Sequence, residues 1–147
     1  MATESFQRHT LRLQASDAAS AEASAWARAL AEQAGLSEER TYALDLCIVE
    51  LVTNVVDHGY QKRAGELELD LDLARAAAIL TITDAAPAFD PLAYPPPVVA
   101  ASIEEASIGG YGIHLVRSTA DQCRYERRGD RNVFTAYFGH TLSLARG

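Results

Sequence analysis

The sequence predicts an α+β fold, a two-layer α/β sandwich with a mostly antiparallel sheet and helices on one face. Three observations carry that prediction. The stretch ELELDLDL, Glu66 to Leu73, alternates acid and leucine without a break, as a strand with one face on a core and one in water does. A second strand, Ala78 to Thr83, follows after a short turn at Arg75 to Ala77, so the two should pair antiparallel. Segments of helical periodicity flank these strands. The expected order is strand, helix, helix, strand, strand, irregular segment, helix, strand, strand. The 147 residues suit a single domain, 1–147, whose core needs no staples.

Taken in order, Phe6 to Ala15 alternates around Leu11 and Leu13 and reads as a first strand, suited to a sheet edge. Asp17 is then a candidate cap for a helix from Ala18 to Ala34, which places Ala23, Trp26, Ala27, Leu30 and Ala34 on one face before Gly35 stops it. Ser37 is a second N-cap, followed by Glu38 and Glu39 where the helix dipole favours acids. This begins the most informative helix, which contains ALDLCIVELVTNVVDHGY and ends near His58 and Gly59. Segment 85–108 contains all five prolines and no sustained periodicity, with Ala100 to Ala106 as a candidate short helix. Irregular segments of that length are usually lids or disordered. Gly109 to Gln122 reads as a glycine turn feeding a helix with Ile113, Leu115, Val116 and Ala120 buried. Cys123 to Arg128 and Asn132 to Phe138 close the domain as a hairpin about Gly129 and Asp130.

Composition excludes some functions. A formal charge of -7 argues against binding nucleic acid through its phosphates, and the basic run Arg124 to Arg131 is interrupted by Glu126 and Asp130, as a solvated hairpin would be. Cys47 and Cys123 have no metal-ligand spacing and read as reduced, buried thiols. The N-terminus lacks the pattern of a signal peptide, and no apolar run is long enough to span a bilayer. A cytoplasmic protein without membrane contact is the expectation.

Three constellations carry the chemistry. Glu50, Asn54 and His58 recur every fourth residue along an otherwise apolar helix, so carboxylate, amide and imidazole address one side. Such oxygens suit magnesium, which binds through one or two protein ligands plus phosphates; a buried polar network is the alternative. Asp84, at a strand end before Phe89-Asp90-Pro91, can accept a hydrogen bond from an exocyclic amine in an apolar pocket, or simply cap a turn. Gly109, Gly110 and Gly112 precede a helix, where backbone N–H groups can turn toward phosphate, although a plain turn explains them equally.

Together these residues carry a family resemblance. Glu50-Leu-Val-Thr-Asn54-Val-Val-Asp-His58-Gly-Tyr60 resembles the N-box of the ATPase superfamily that includes gyrase, heat-shock chaperones, histidine kinases and mismatch-repair ATPases. Within it the chain is most similar to the bacterial anti-sigma factor serine kinases. Ile82-Thr-Asp84 with Phe89-Asp90-Pro91 resembles their first glycine box, and GGYGIHLVRSTADQCRYERRGDRNVF their second box and closing hairpin, in the same order over nearly the whole chain.

The resemblance implies the Bergerat ATP-binding fold, with 85–108 as the ATP lid and ATP and Mg2+ as cofactors. Asn54 would coordinate the metal, and Glu50 would act as general base or orient the attacking hydroxyl. Asp84 would bind the adenine amine, Gly110 and Gly112 would cradle phosphates, and Thr135 would support adenine through water. The implied nucleotide-binding set is Asn54, His58, Asp84, Ala86, Gly109, Gly110, Gly112, Ile113 and Thr135. His114 is expected to have a surface or packing role. The family's first box usually has glycine where this chain has Ala86; if that backbone needs a positive φ, alanine costs about 1 kcal/mol and its methyl presses on the adenine.

The function so implied is an ATP-dependent serine protein kinase. It would phosphorylate a STAS-domain anti-sigma factor antagonist, alternately sequester a sigma factor, and could form a homodimer. The alternative is a non-catalytic sequestering module with weak or no ATP binding. A split histidine-kinase catalytic domain is less consistent, because the chain carries no phosphoacceptor helix pair.

Overall fold

The computed structural model describes residues 5–93 and 111–139. The described elements are β1 (Gln7–Gln14), α1 (Ala19–Ala34), α2 (Glu38–Asn54), a π-helical turn (Val55–Gly59), β2 (Glu66–Leu73), β3 (Ala78–Asp84), a short 3-10 turn (Pro91–Ala93), α3 (Tyr111–Thr119), β4 (Gln122–Arg128) and β5 (Arg131–Phe138). The sheet order is β1-β2-β3-β5-β4, and every described strand pair is antiparallel. This is the expected α+β sandwich, with β1 at one edge. The expected helix at Ala100 to Ala106 and most of segment 85–108 lie outside the described residues, as do Gly109 and Gly110.

The alternation of β2 does what its pattern predicts. Leu67, Leu69, Leu71 and Leu73 are buried, while the intervening acids lie on the open face. There Arg8 Nε and Nη2 each donate at 2.8 Å to the Asp72 carboxylate, Thr10 bonds Asp70, and Arg12 Nε donates to Glu68 at 3.0 Å. Asp72 accordingly raises the Arg8 pKa above its ordinary value, first through the hydrogen bond and then through its charge. Exposed pairs of this kind contribute little stability. Their use is to hold β1 in register, since a one-residue slip would bring its charges onto the apolar face.

On the other face, α1 is notched by alanines. Ala19, Ala23, Ala27 and Ala31 recur at helical spacing and are fully buried, letting α1 lie close to α2 and the sheet. Trp26, Leu30 and Ala34 pack partly buried beside them. Asp17 does not cap this helix: the cap position is Ala18, with no side-chain bond, and its N–H instead donates to Ser16 Oγ at 3.3 Å. Ser37 does cap α2, accepting from the Arg40 N–H at 3.1 Å. In α3, Ile113, Val116 and nearby Ala120 are buried, but Leu115 is 42% exposed because it falls one step off that stripe.

Both cysteines are free thiols, Cys47 buried and Cys123 half-buried. Burial pushes the Cys47 thiol up to about 12 and the Cys123 thiol up to about 11. Among the described residues no helix is long and apolar enough to cross a membrane.

Candidate nucleotide site

The site begins where α2 ceases to be an α-helix. Leu44, Cys47, Ile48, Leu51 and Val52 bury one side of α2, leaving Glu50 and Asn54 half-buried near its C-terminal end. Beyond Asn54 the chain widens into a π turn, in which the Tyr60 N–H donates to the Val55 carbonyl at 2.8 Å and the Lys62 N–H to Val56 at 2.9 Å. The turn is wider than an α-helical one, so the four-residue stripe is not continued through it. Gly59 follows Asn54 into the cavity, while His58 is exposed and does not line it. The expected third member of the stripe is displaced by this change of helical period.

Gly59 is needed for a close approach. A β-carbon there would sit 3.2 Å from the Cβ of Ala86, so the π turn rests directly on the loop that follows β3. Tyr60 holds the same loop: its hydroxyl donates to the Glu66 carbonyl at 2.7 Å and accepts from the Ala85 N–H at 2.8 Å. Among described non-glycine residues only Gln61 and Lys62 have positive φ. Ala86 does not, so the expected backbone penalty for alanine is absent. Its methyl is buried toward Gly59 and does not line the cavity, so the expected pressure on a base there is absent too.

Asp84 ends β3, only 5% exposed. Its Oδ1 accepts from the Ala86 N–H and from Asn132 Nδ2, each at 2.9 Å, and its Oδ2 takes no hydrogen bond from a described residue. Asp84 and Asn54 line a small, partly open cavity walled by Leu51, Val55, Ile82, Phe89 and Phe134. A slot of this kind, apolar on its faces with a carboxylate at one end, suits a flat heterocycle that presents an amine.

Outside the cavity lining, α2 and α3 meet at Glu50. A β-carbon on Gly112 would collide with Glu50 Oε2, so α3 comes to rest on the Glu50 carboxylate. Ile113 packs in the apolar core and does not line the cavity. Thr135 is also misplaced by the expectation. On β5 it alternates away from Asn132 and Phe134, onto the open face of the sheet beside Thr81 and Thr83, so it does not reach the cavity. Asn132 occupies the site-facing place instead, directly opposite Asp84 in the ladder.

Asn132 is the residue that sequence reasoning passed over. Its parity was countable from the Gly129-Asp130 turn, but its meaning depended on β5 lying against β3, a neighbour distant in sequence. Arg127 is another, reaching from β4 to donate from Nη1 to the Ala86 carbonyl at 2.9 Å.

The family model for the histidine kinase-like ATPase domain matches residues 13–138. The chain is 29% identical over 127 residues to the serine/threonine-protein kinase BtrW of Bordetella bronchiseptica, covering 86% of this chain and 89% of that protein. It superposes with a TM-score of 0.64 and 16% identity on a Mycobacterium tuberculosis structure of RsbU and RsbW domains, over 90% of this chain and 32% of that one. The chain thus belongs to the histidine kinase-like ATPase domain family.

Proposed function

We propose that this protein is an ATP-dependent serine protein kinase and anti-sigma regulatory factor, which phosphorylates a STAS-domain anti-sigma factor antagonist and alternately sequesters a sigma factor. The observation that carries the proposal is the joint placement of Asp84 and Asn54 on one apolar cavity, with Glu50 held against Gly112. ATP fits as adenine toward Asp84 and phosphates toward Asn54. Similarity to a serine/threonine-protein kinase supports the choice of reaction.

Magnesium fits the donor set. Asn54 is half-buried on the cavity, and its amide makes no side-chain hydrogen bond to a described residue. Among the described residues no group of three or more His, Cys, Asp or Glu is assembled to hold a metal. Magnesium usually keeps several waters and takes only one or two protein oxygens beside the phosphates, so a single amide oxygen is a sufficient contribution from this side. Asn54 would hold the ion, which supplies neutralisation of phosphate charge when bound. Glu50 would accept the serine proton as the serine oxygen bonds to the γ-phosphorus and the bond from that phosphorus to the β,γ-bridging oxygen breaks, leaving ADP.

The test is phosphate transfer from magnesium ATP to a serine of a STAS antagonist, with titration calorimetry alongside. Transfer should be lost in Asn54→Ala and Glu50→Ala, and saturable ATP binding in Asp84→Asn. Wild-type protein that binds both ATP and antagonist yet never phosphorylates would refute the kinase and leave a sequestering module. A homodimer, suggested by the family resemblance, would be read from the sedimentation of the same samples.

A further inference from the structure

We propose that Asn132, oriented by Arg127, is the positioning residue that makes the site selective for an amine-bearing base. This rests on the nucleotide reading above and names the residues behind its selectivity. The Asn132 side chain is 94% buried by its 6% exposure and is saturated at both ends. The two hydrogens of its Nδ2 are shared among three acceptors, Asp84 Oδ1 at 2.9 Å, the Ala86 carbonyl at 3.1 Å and the Pro87 carbonyl at 3.1 Å. Its Oδ1 accepts from the Phe89 N–H at 3.3 Å, from the Tyr125 hydroxyl and from Arg127 Nη1 at 3.2 Å. Acceptors surround the nitrogen and donors surround the oxygen, so only one orientation of the amide satisfies them all.

That orientation determines what Asp84 can do. With Oδ1 engaged by Asn132 and the Ala86 N–H, Oδ2 is the acceptor left toward the cavity, and a carboxylate oxygen rewards an N–H donor and repels a carbonyl. Arg127 holds both sides of the arrangement, through the Ala86 carbonyl and through Asn132 Oδ1. In a buried network, one displaced member leaves the others partly unsatisfied. Arg127 is exposed and does not line the cavity, so any influence it has on base choice passes through Asn132 and the loop after Asp84.

The experiment is calorimetric binding of two nucleotides, ATP and purine riboside triphosphate, which lacks only the exocyclic amine. Wild type should prefer ATP by about 10-fold or more, the value of one hydrogen bond to a charged acceptor. Arg127→Ala should lower that preference to about 3-fold or less while changing affinity for the amine-free analogue by less than about 2-fold. Asn132→Asp should abolish the preference, but it sets two carboxylates side by side and endangers folding, so Arg127→Ala decides. Equal weakening of both nucleotides, or an unchanged preference in Arg127→Ala, overturns the proposal while the site stands. Wild type that binds neither nucleotide, or an Asp84→Asn variant that keeps its preference for ATP, overturns the nucleotide reading and this inference with it.

Discussion

Replacing Gly112 by alanine separates catalysis from stability more cleanly than removing a catalytic group. The added β-carbon would collide with Glu50 Oε2 and lie 3.3 Å from its Cδ. Both atoms belong to the free end of a flexible side chain, so the carboxylate yields and the backbone stays. A displacement of roughly 1 Å at a proton-accepting group costs about 100-fold in rate. Stability should move the other way, since alanine exceeds glycine in a helix by up to about 1 kcal/mol. The assay is single-turnover phosphate transfer from radiolabelled ATP to a STAS antagonist, paired with urea denaturation and ATP titration. Gly112→Ala should lose about 100-fold in the single-turnover rate constant with ATP affinity within about 3-fold and unfolding free energy unchanged or slightly raised. A rate within about 3-fold of wild type would refute the role given to Glu50, as would a loss of rate that merely tracks a loss of stability.

Two further outcomes test other parts of the account. Thr135→Ala should leave ATP affinity within about 2-fold by calorimetry, because Thr135 lies across the sheet from the cavity; a 10-fold loss would place the base on the wrong face. The thiols make stability depend on pH in the alkaline range. Desolvation raises Cys47 to about 12 and Cys123 to about 11 from 9.0, so the unfolded chain gives up these protons first. Their contribution is complete below pH 9.0 and falls as pH rises above it, by at most about 1.4 kcal/mol per pH unit for each thiol. Urea denaturation across that range should show a shallower fall for Cys47→Ala, and an identical slope would contradict the burial of this thiol.

Much of the architecture was legible because local pattern and burial agree. The acid-leucine alternation of Glu66 to Leu73 became β2 with the same bounds, and the Ser37 cap starts α2 as its chemistry requires. The failures share a cause. Asp17 and Leu115 were misjudged by one position, where a cap or a stripe depends on how the helix is seated. The stripe through His58 assumes a period of four, but α2 gives way to a wider π turn after Asn54, which does not keep that period.

The sequence by itself determined the fold class, the helix that carries Glu50 and Asn54, and the strand end that carries Asp84, because these follow from periodicity, capping and residue chemistry along short stretches. Only the tertiary structure decided which residues meet. It set β5 against β3, which brought Asn132 opposite Asp84 and turned Thr135 outward, and it seated Gly112 on Glu50. In Asn132-Val-Phe-Thr-Ala-Tyr-Phe138 each alternating set mixes polar with apolar groups, Asn132 with Phe134, Ala136 and Phe138, and Thr135 with Val133 and Tyr137, so composition does not say which polar residue meets the site. The pairing of distant strands does, because it chooses which set is buried against the core.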